Sequence, residues 1–261
     1  MALPFYTPYR GSMGRFFAGD QSLVGYWQLQ GNSWDNSGNG ANGTDTSVVY
    51  NQPGFRDGIG SAYYSGSAYS SMGNVLAFEY TSPWTMACWM KNLSTVSSNI
   101  FSKQQNAGSY IGYGFGTAAD GTLQAFIYGG GGTGSLIANY PSKYNDRLHF
   151  VVWTYDGSNS NAGYRFYVDG LPVTATSVTN IANSGSIITT TPLQISGRAG
   201  ANNLWNGYME EASIFSRILS PQEISQYYQW AISQSKPKWL SYLPPVVSQS
   251  YGFFASFLSS D

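Results

Sequence analysis

The chain has 261 residues, a formal net charge of −1, 16% aromatic residues and only 10% charged residues. This composition leaves no basic stripe for phosphate neutralisation, so nucleic-acid binding is not expected. No run approaches the roughly 18 apolar residues of a membrane span, and the single Cys88 excludes an internal disulfide framework.

Residues 1–20 are predicted to form an N-terminal arm outside the core. Pro4 and Pro8 remove backbone donors that a strand would need, and Gly11 and Gly14 interrupt any periodic pattern. The arm is nevertheless too apolar for a solvated tail, because it carries Phe5, Tyr6, Phe16 and Phe17. It also lacks the basic start and apolar run of a secretory signal, so no such signal is visible.

From about residue 23, short β-prone runs alternate with clusters of Gly, Asn, Asp and Ser. Such runs, with no helical periods between them, favour an antiparallel sandwich over parallel β–α–β units. The predicted strands are 23–29, 46–50, 62–64, 84–91, 99–103, 110–115, 123–128, 149–155, 164–168, 193–196 and 209–215.

One helix is predicted over about 221–233. Ser220 provides an N-cap, Pro221 suits the first helical position, and Glu223 completes a capping box. Residues 234–261 then form a second apolar, proline-containing arm with Trp239, Leu240, Phe253 and Phe254. The predicted organisation is therefore a sandwich domain at 21–233 between two arms.

Several segments occur in the order found in laminin G-like domains of the concanavalin A-like lectin/glucanase superfamily. The matching segments are 23–29 with the Asp35–Thr44 loop, 58–64, 84–91, 148–157 with 167–170, and 206–215 with 219–224. The chain resembles this family over about residues 23–230, and both arms fall outside the match. The resemblance implies an all-β jelly-roll sandwich with one short C-terminal helix.

The sequence does not predict an enzyme. Glycoside hydrolases of this fold carry their two carboxylates on alternate residues of one strand. Glu210 and Glu211 are adjacent instead, so on a regular strand they would face opposite sides. His149 lies where the resemblance implies a structural histidine, and Cys88 occupies a core strand position, so we expect both to be packing residues.

The resemblance also implies one Ca²⁺ at the rim of the sandwich. Calcium takes several oxygen ligands, and Asp35, Asn36, Thr44 and Glu211 are the candidates. The alternative is that Asp35 and Asn36 only cap a turn and that Glu211 has a structural partner.

A surface for carbohydrates would use aromatic rings beside amide side chains. Trp34 and Trp205 lie in Gly/Asn-rich segments, and Tyr113, Tyr128 and Tyr144 are further candidates. The alternative is that these rings close the ends of the sandwich or meet another subunit.

The interpretation that follows is a non-enzymatic structural or decorating protein of a large assembly, of the phage-virion type, assembled in a host cytoplasm. Apolar arms of this size are typical of partner surfaces, so copies of the chain or other virion proteins are the expected partners. The sandwich is also a candidate to contact surface glycans. The alternatives are a stand-alone carbohydrate-binding lectin or adhesion module and, third, a glycan-active enzyme.

Overall fold

The computed structural model of the protein describes residues 12–54, 60–130, 135–140, 147–199 and 202–234. Phe5, Tyr6, Tyr144, Trp239, Leu240, Phe253 and Phe254 of the predictions above lie outside these residues. The described chain confirms an all-β antiparallel sandwich with one C-terminal helix.

The elements alternate short strands with turns, as the β-prone runs predict. They are α1 (Met13–Phe16), β1 (Leu23–Trp27), β2 (Thr44–Thr46), β3 (Val49–Pro53), β4 (Gly60–Ser65), β5 (Tyr69–Ser71), β6 (Trp84–Asn92), β7 (Ser98–Gln104), β8 (Gly112–Thr117), β9 (Leu123–Tyr128), β10 (Ser135–Tyr140), β11 (His149–Tyr155), β12 (Tyr164–Val168), β13 (Leu171–Val173), β14 (Ser177–Ile181), β15 (Gln194–Ile195), β16 (Asn206–Phe215) and α2 (Pro221–Gln234).

Two antiparallel sheets contain these strands. Sheet A has the order β13-β12-β11-β6-β16-β4-β3, and β1 also pairs with β16. Sheet B has the order β14-β10-β9-β8-β7-β15-β5-β2. The two sheets enclose the main apolar core, which includes the fully buried rings of Trp27, Trp84, Trp153 and Phe115.

The other face of sheet A is covered by α1 and α2. Ile224, Tyr227 and Ala231 of α2 are buried at helical spacing against this face, and the indole N–H of Trp89 donates to the Tyr227 hydroxyl at 3.1 Å. The predicted capping box is confirmed, because the Glu223 N–H donates to Ser220 Oγ and the Ser220 N–H to Glu223 Oε2.

Part of the predicted N-terminal arm belongs to this outer layer. Phe17 is buried with its ring centroid 5.0 Å from that of Phe215, and Phe16 packs on Tyr227 at 5.6 Å. The prediction that Phe17 is an assembly residue is therefore corrected, because its ring is buried in the chain's own fold, whereas Phe16 is half-buried and its assembly role stays a prediction. Both rings pack on the chain's own sandwich, where they cover the apolar outer face of sheet A.

Arg217 fixes the same layer through two ion pairs. Its Nη2 lies 2.6 Å from Asp20 Oδ2 and 2.7 Å from Glu223 Oε1. The pair with Asp20 joins the N-terminal segment to the end of β16, and the pair with Glu223 joins it to the start of α2. One guanidinium thus links the N-terminal segment to the turn between β16 and α2, 197 residues away in sequence.

Candidate functional site

The segment after β1 folds back on that strand to form a loop at the rim of the sandwich. Trp27 ends β1, and Leu29 adopts a positive φ of 59° that turns the chain. The loop returns antiparallel to β1, since the Asn36 N–H donates to the Tyr26 carbonyl at 2.7 Å. The indole N–H of Trp27 also donates to the Ala41 carbonyl at 2.8 Å, which fastens the far end of the loop.

Asp35 organises this loop with its carboxylate. Oδ1 accepts the backbone N–H groups of Tyr26 at 3.0 Å and Ser37 at 2.9 Å. Oδ2 accepts the Ser37 hydroxyl at 2.9 Å and the Ala41 N–H at 3.0 Å. A carboxylate with four protein donors fixes the backbone of the loop but has little capacity left for a ligand.

Three asparagines extend the same network. Asn32 Oδ1 accepts the Trp34 N–H at 3.0 Å, and Asn42 Oδ1 accepts the Asp35 N–H at 2.9 Å. Asn36 Nδ2 donates to the Trp34 carbonyl at 2.9 Å. Each amide thus uses one polar atom for a hydrogen bond within the loop, and all three side chains are exposed. Their remaining amide atoms face solvent and are suited to hydroxyl groups, which both donate and accept.

Trp34 lies on the wall of the cavity that this loop creates. Its side chain is 63% exposed, although it is a large aromatic ring in an otherwise ordered loop. The cavity has a volume of about 510 Å³. It is lined by Gln28, Gln30, Gly31, Asn32, Trp34, Asp35, Asn36, Gly38, Gly40 and Asn42. We call this set the Trp34 pocket.

The floor of the Trp34 pocket is also amide-rich. Gln28 is 4% exposed, and Nε2 of Gln30 is buried without a hydrogen-bond partner among the described residues. A buried polar atom normally has a partner. The pocket therefore combines one exposed indole face with amide groups, and its one ionisable group is already engaged by the backbone.

The predicted calcium ligands do not fit a calcium site. The four donors on Asp35 occupy its oxygens, and Thr44 begins β2 in sheet B. Glu211 is fully buried, with Oε2 2.5 Å from the Met13 N–H and Oε1 2.9 Å from the Tyr26 hydroxyl. Among the described residues, no three His, Cys, Asp or Glu side chains cluster as a metal site would require.

Glu211 illustrates what a sequence pattern cannot show. It has a positive φ of 59° and lies in the bulge where the β16–β6 register shifts between Glu210 and Ser213. Glu210 pairs with Trp89, and Glu211 bonds Tyr26; both partner rings belong to the layer outside sheet A. The prediction that the two carboxylates face opposite sides is wrong, because the bulge inserts the extra residue. Both are fully buried.

The other predicted sugar contacts have different positions. Trp205 and Tyr113 are buried in the main core, where Tyr113 packs 5.2 Å from Trp84, so neither presents a free ring face and both predictions are corrected. Tyr128 is half-buried on the outer face of sheet B. The sequence contained a pattern that predicts the burial of Tyr113. In β8, Tyr113 and Phe115 alternate with glycines, and a period of two places both rings on the same face of the strand, here the core face.

His149 and Cys88 occupy structural positions. His149 Nδ1 lies 2.8 Å from Asp169 Oδ2, and Cys88 is fully buried in the main core. Burial raises the pKa of the Cys88 thiol, so the nucleophilic thiolate is disfavoured. Within the described ranges, no helix is long and apolar enough to cross a bilayer.

The sandwich and its rim loop define the class of lectin-like jelly-roll domains, and solved structures agree with this class. The chain is similar to the binding domain of Paraclostridial Mosquitocidal Protein 1 (14% identity, TM-score 0.57, covering 79% of this chain and 52% of that one). It is also similar to the botulinum neurotoxin serotype D/C binding domain (15% identity, TM-score 0.58, 80% and 52%). The chain thus spans about half the length of these toxin domains.

A third similar structure is matched over almost its whole length. It is domain 4 of AbnA, an extracellular arabinanase from Geobacillus stearothermophilus, in complex with arabinotriose (13% identity, TM-score 0.58, 80% of this chain and 98% of that one). No curated protein shows significant sequence similarity to the chain. The family model of the concanavalin A-like lectin/glucanases superfamily matches residues 64–225, more than half of the sequence, and the chain belongs to this family.

Proposed function

We propose that the protein is a non-catalytic glycan-binding domain and that the Trp34 pocket binds the glycan. The observation that carries this proposal is the indole of Trp34, 63% exposed on the wall of a 510 Å³ cavity lined by amide side chains. Ligand sites typically combine aromatic surface with a few placed polar groups. An indole face suits the apolar C–H face of a sugar ring, and the amides suit its hydroxyls.

The site is arranged for a neutral part of a glycan. Its amides do not titrate, and Asp35 is held by four protein donors. These bonds fix the loop before a ligand arrives, which reduces the ordering cost of binding. Binding at this site should therefore change little with pH near neutrality.

The structural comparisons support the proposal at the level of the fold. The arabinanase domain was solved with arabinotriose, and the toxin domains are described as binding domains. Identities of 13–14% carry no ligand specificity to this chain. The complex of the arabinanase domain with arabinotriose makes this sugar a reasonable first probe.

The absence of catalysis is part of the proposal. A glycosidase needs two carboxyl groups on either side of the scissile bond. Of the acidic side chains, Asp35 lines the pocket with its oxygens engaged, and Glu210 and Glu211 are buried in the outer layer of sheet A. Incubation of the protein with the glycans that it binds should leave them intact, and release of shorter products would refute this part.

The test of glycan binding is an array of immobilised oligosaccharides that includes arabinotriose. The full chain is expected to bind a subset, and Trp34→Ala is expected to lose that binding while the melting temperature is retained. Equal binding by both proteins would show that the Trp34 pocket is not the site.

We further propose a role as a structural or decorating component of a large assembly, of the virion type and formed in a host cytoplasm. β13 and β14 end sheets A and B and are separated in sequence by residues 174–176. They expose Leu171, Val178 and Ile181. Aliphatic side chains on unpaired edge strands favour contact with another chain.

The apolar residues of segments 1–11 and 235–261 support the same role by composition alone. The mass of the full-length particle in solution, measured by light scattering, tests it. We expect a closed oligomer or a larger particle. We also expect the double variant Leu171→Lys, Val178→Lys to disrupt it. A monomer at every concentration would refute the assembly role and leave glycan binding untouched.

A further inference from the structure

A second cavity adjoins the Trp34 pocket at the rim loop. It has a volume of about 290 Å³, and Asn36 and Gly38 line both cavities. Its other wall is the N-terminal segment 14–21, and its polar lining includes Gln21 and Asn39. We call it the Asn39 cavity. Ligand clefts typically measure about 300–1,000 Å³, so the two cavities together offer room for more than one sugar unit.

Gly38 forms an open boundary between the two cavities. It is exposed, and its φ of 93° lies in the region that favours glycine. A Cβ atom at this position would have no heavy atom within 4 Å apart from those of its chain neighbours. An extended ligand therefore has room to pass over this residue from one cavity to the other.

The amides of the Asn39 cavity present their oxygen atoms to it. Asn39 Nδ2 donates to the Val24 carbonyl at 3.3 Å and to Ser37 Oγ at 3.0 Å. Gln21 Nε2 donates to the Gly19 carbonyl at 3.4 Å. Because a carbonyl oxygen can only accept, these partners fix each NH₂ group toward the protein. Asn39 Oδ1 and Gln21 Oε1 make no hydrogen bond among the described residues, and both side chains are exposed.

The amides of the Trp34 pocket are oriented the other way. Asn32 and Asn42 accept backbone N–H groups through Oδ1, so their NH₂ groups are left as donors. Asn36, which lines both cavities, donates through Nδ2 to a backbone carbonyl and leaves Oδ1 as an acceptor. One cavity therefore offers mainly donors and the other mainly acceptors. Sugar hydroxyls suit both, because a hydroxyl group donates and accepts.

Asp20 is the carboxylate of the Asn39 cavity, and protein contacts balance its charge. Oδ1 accepts the N–H of Ser22 at 2.9 Å and its hydroxyl at 2.7 Å. Oδ2 accepts Nε and Nη2 of Arg217 at 3.2 and 2.6 Å. Asp35 is engaged in the same manner in the Trp34 pocket. Both cavities are therefore suited to a neutral ligand.

We propose that the Asn39 cavity is a second sugar subsite, so that the protein binds a neutral oligosaccharide across both cavities. One sugar unit packs on the Trp34 indole, and a neighbouring unit donates hydroxyl hydrogens to the oxygens of Asn36, Asn39 and Gln21. The aromatic residues that line the Asn39 cavity are buried, so binding there depends on hydrogen bonds. The proposal rests on the glycan-binding function and narrows its ligands to chains of two or more units.

The experiment is calorimetric titration of the full chain with linear arabino-, xylo- and cello-oligosaccharides of one to four units. Any other glycan that the array identifies is tested with its shorter homologues. In a series that binds, affinity should rise at least about tenfold from the single sugar to the length that fills both cavities, ~1.4 kcal/mol. A gain no larger than the number of units in the chain would reflect alternative registers in one site and would overturn the second subsite.

Two variants locate the gain. Gln21→Ala removes an acceptor from the Asn39 cavity, and Ala18→Leu fills space at its exposed wall. Each should weaken binding of the longer oligosaccharide by about threefold or more, within the range of one hydrogen bond, and leave single-sugar affinity unchanged. The matched controls are Gln222→Ala on α2 and Ala107→Leu between β7 and β8, both at exposed positions. All four variants are first checked for an unchanged melting temperature.

The outcomes separate this proposal from the one on which it rests. Trp34-dependent binding that does not increase with chain length overturns the second subsite and leaves the Trp34 pocket in place. Wild-type affinity of both Gln21→Ala and Ala18→Leu for the longer oligosaccharide does the same. Absence of binding to every series and to every array glycan overturns the glycan-binding function itself.

Discussion

The Tyr26 hydroxyl donates a 2.9 Å hydrogen bond to Oε1 of Glu211, and neither residue is more than 1% exposed. The backbone N–H of the same tyrosine donates to Asp35 Oδ1, and the second oxygen of Glu211 accepts the Met13 N–H. Tyr26 therefore connects the rim loop to the buried carboxylate that holds the N-terminal segment. Burial, together with the Glu211 charge, raises the pKa of Tyr26, so its proton stays on the hydroxyl.

Tyr26→Phe should destabilise the protein by about 1–3 kcal/mol, because it removes a hydrogen-bond donor from a buried carboxylate. Urea unfolding of the full chain measures the change. The matched control is Tyr50→Phe. It removes a hydroxyl that donates to the exposed carboxylate of Asp45. An equal loss in both variants would contradict a special role for the buried pair.

Asp35→Asn should lower both the stability of the rim loop and glycan binding. An amide offers one acceptor oxygen where the carboxylate offers two, and its NH₂ group faces N–H and O–H donors. The expected loss is about 2 kcal/mol or more in unfolding free energy. Asp120→Asn, at an exposed turn where Asp120 accepts from Thr122, is the control. Hydrogen exchange of the Ala41 and Ser37 amides would locate the effect, and unchanged protection there would refute it.

Acid should weaken the contacts of Arg217 with Asp20 and Glu223. Hydrogen bonds from Arg217 lower the pKa of Glu223. At Asp20 burial raises the pKa, but the hydrogen bonds from Arg217 and Ser22 together bring it below its ordinary value. A depressed folded-state pKa stabilises the fold above the unfolded-state pKa, near 4 for both groups, and this contribution is lost as pH falls through the folded value. Arg217→Gln should therefore flatten the acid limb of the stability curve below about pH 4. An unchanged slope would contradict the assignment.

Removal of divalent cations should leave the thermal midpoint unchanged. The predicted ligands Asp35 and Glu211 already accept protein donors through both of their oxygens. Melting curves with EDTA and with added Ca²⁺ test this directly. A midpoint that rises with Ca²⁺ and falls with EDTA would mean that calcium displaces these donors.

The sequence predicted the elements whose chemistry is local. The capping box at Ser220–Glu223 is a short-range pattern that predicted the helix, and β-prone runs between turn clusters predicted the core strands. The alternation in β8, which places Tyr113 in the core, is equally local but was not used. β14 was missed because its residues face solvent on an edge strand, with Val178 and Ile181 exposed, so no apolar alternation marks it. The N-terminal segment was misassigned because the apolar face that Phe17 covers exists only after sheet A has formed.

The candidate site was predictable only in part. Trp34 was identified because core packing explains a tryptophan among Gly and Asn poorly. Trp205 has the same local sequence character, yet its ring is enclosed by the core. The bulge that turns Glu211 toward Tyr26 depends on a non-local register shift.

The most direct test of the central claim compares wild type, Trp34→Phe and Trp34→Ala on the same oligosaccharide array. The predicted order of affinity is wild type, then Phe, then Ala, with at least about a tenfold loss for Ala, ~1.4 kcal/mol. Stability should change by less than about 0.5 kcal/mol, since the ring is largely exposed. Val96→Ala, at an exposed residue between β6 and β7, should bind as wild type. Equal neutral-glycan binding by wild type and Trp34→Ala, with both proteins folded, would contradict the account.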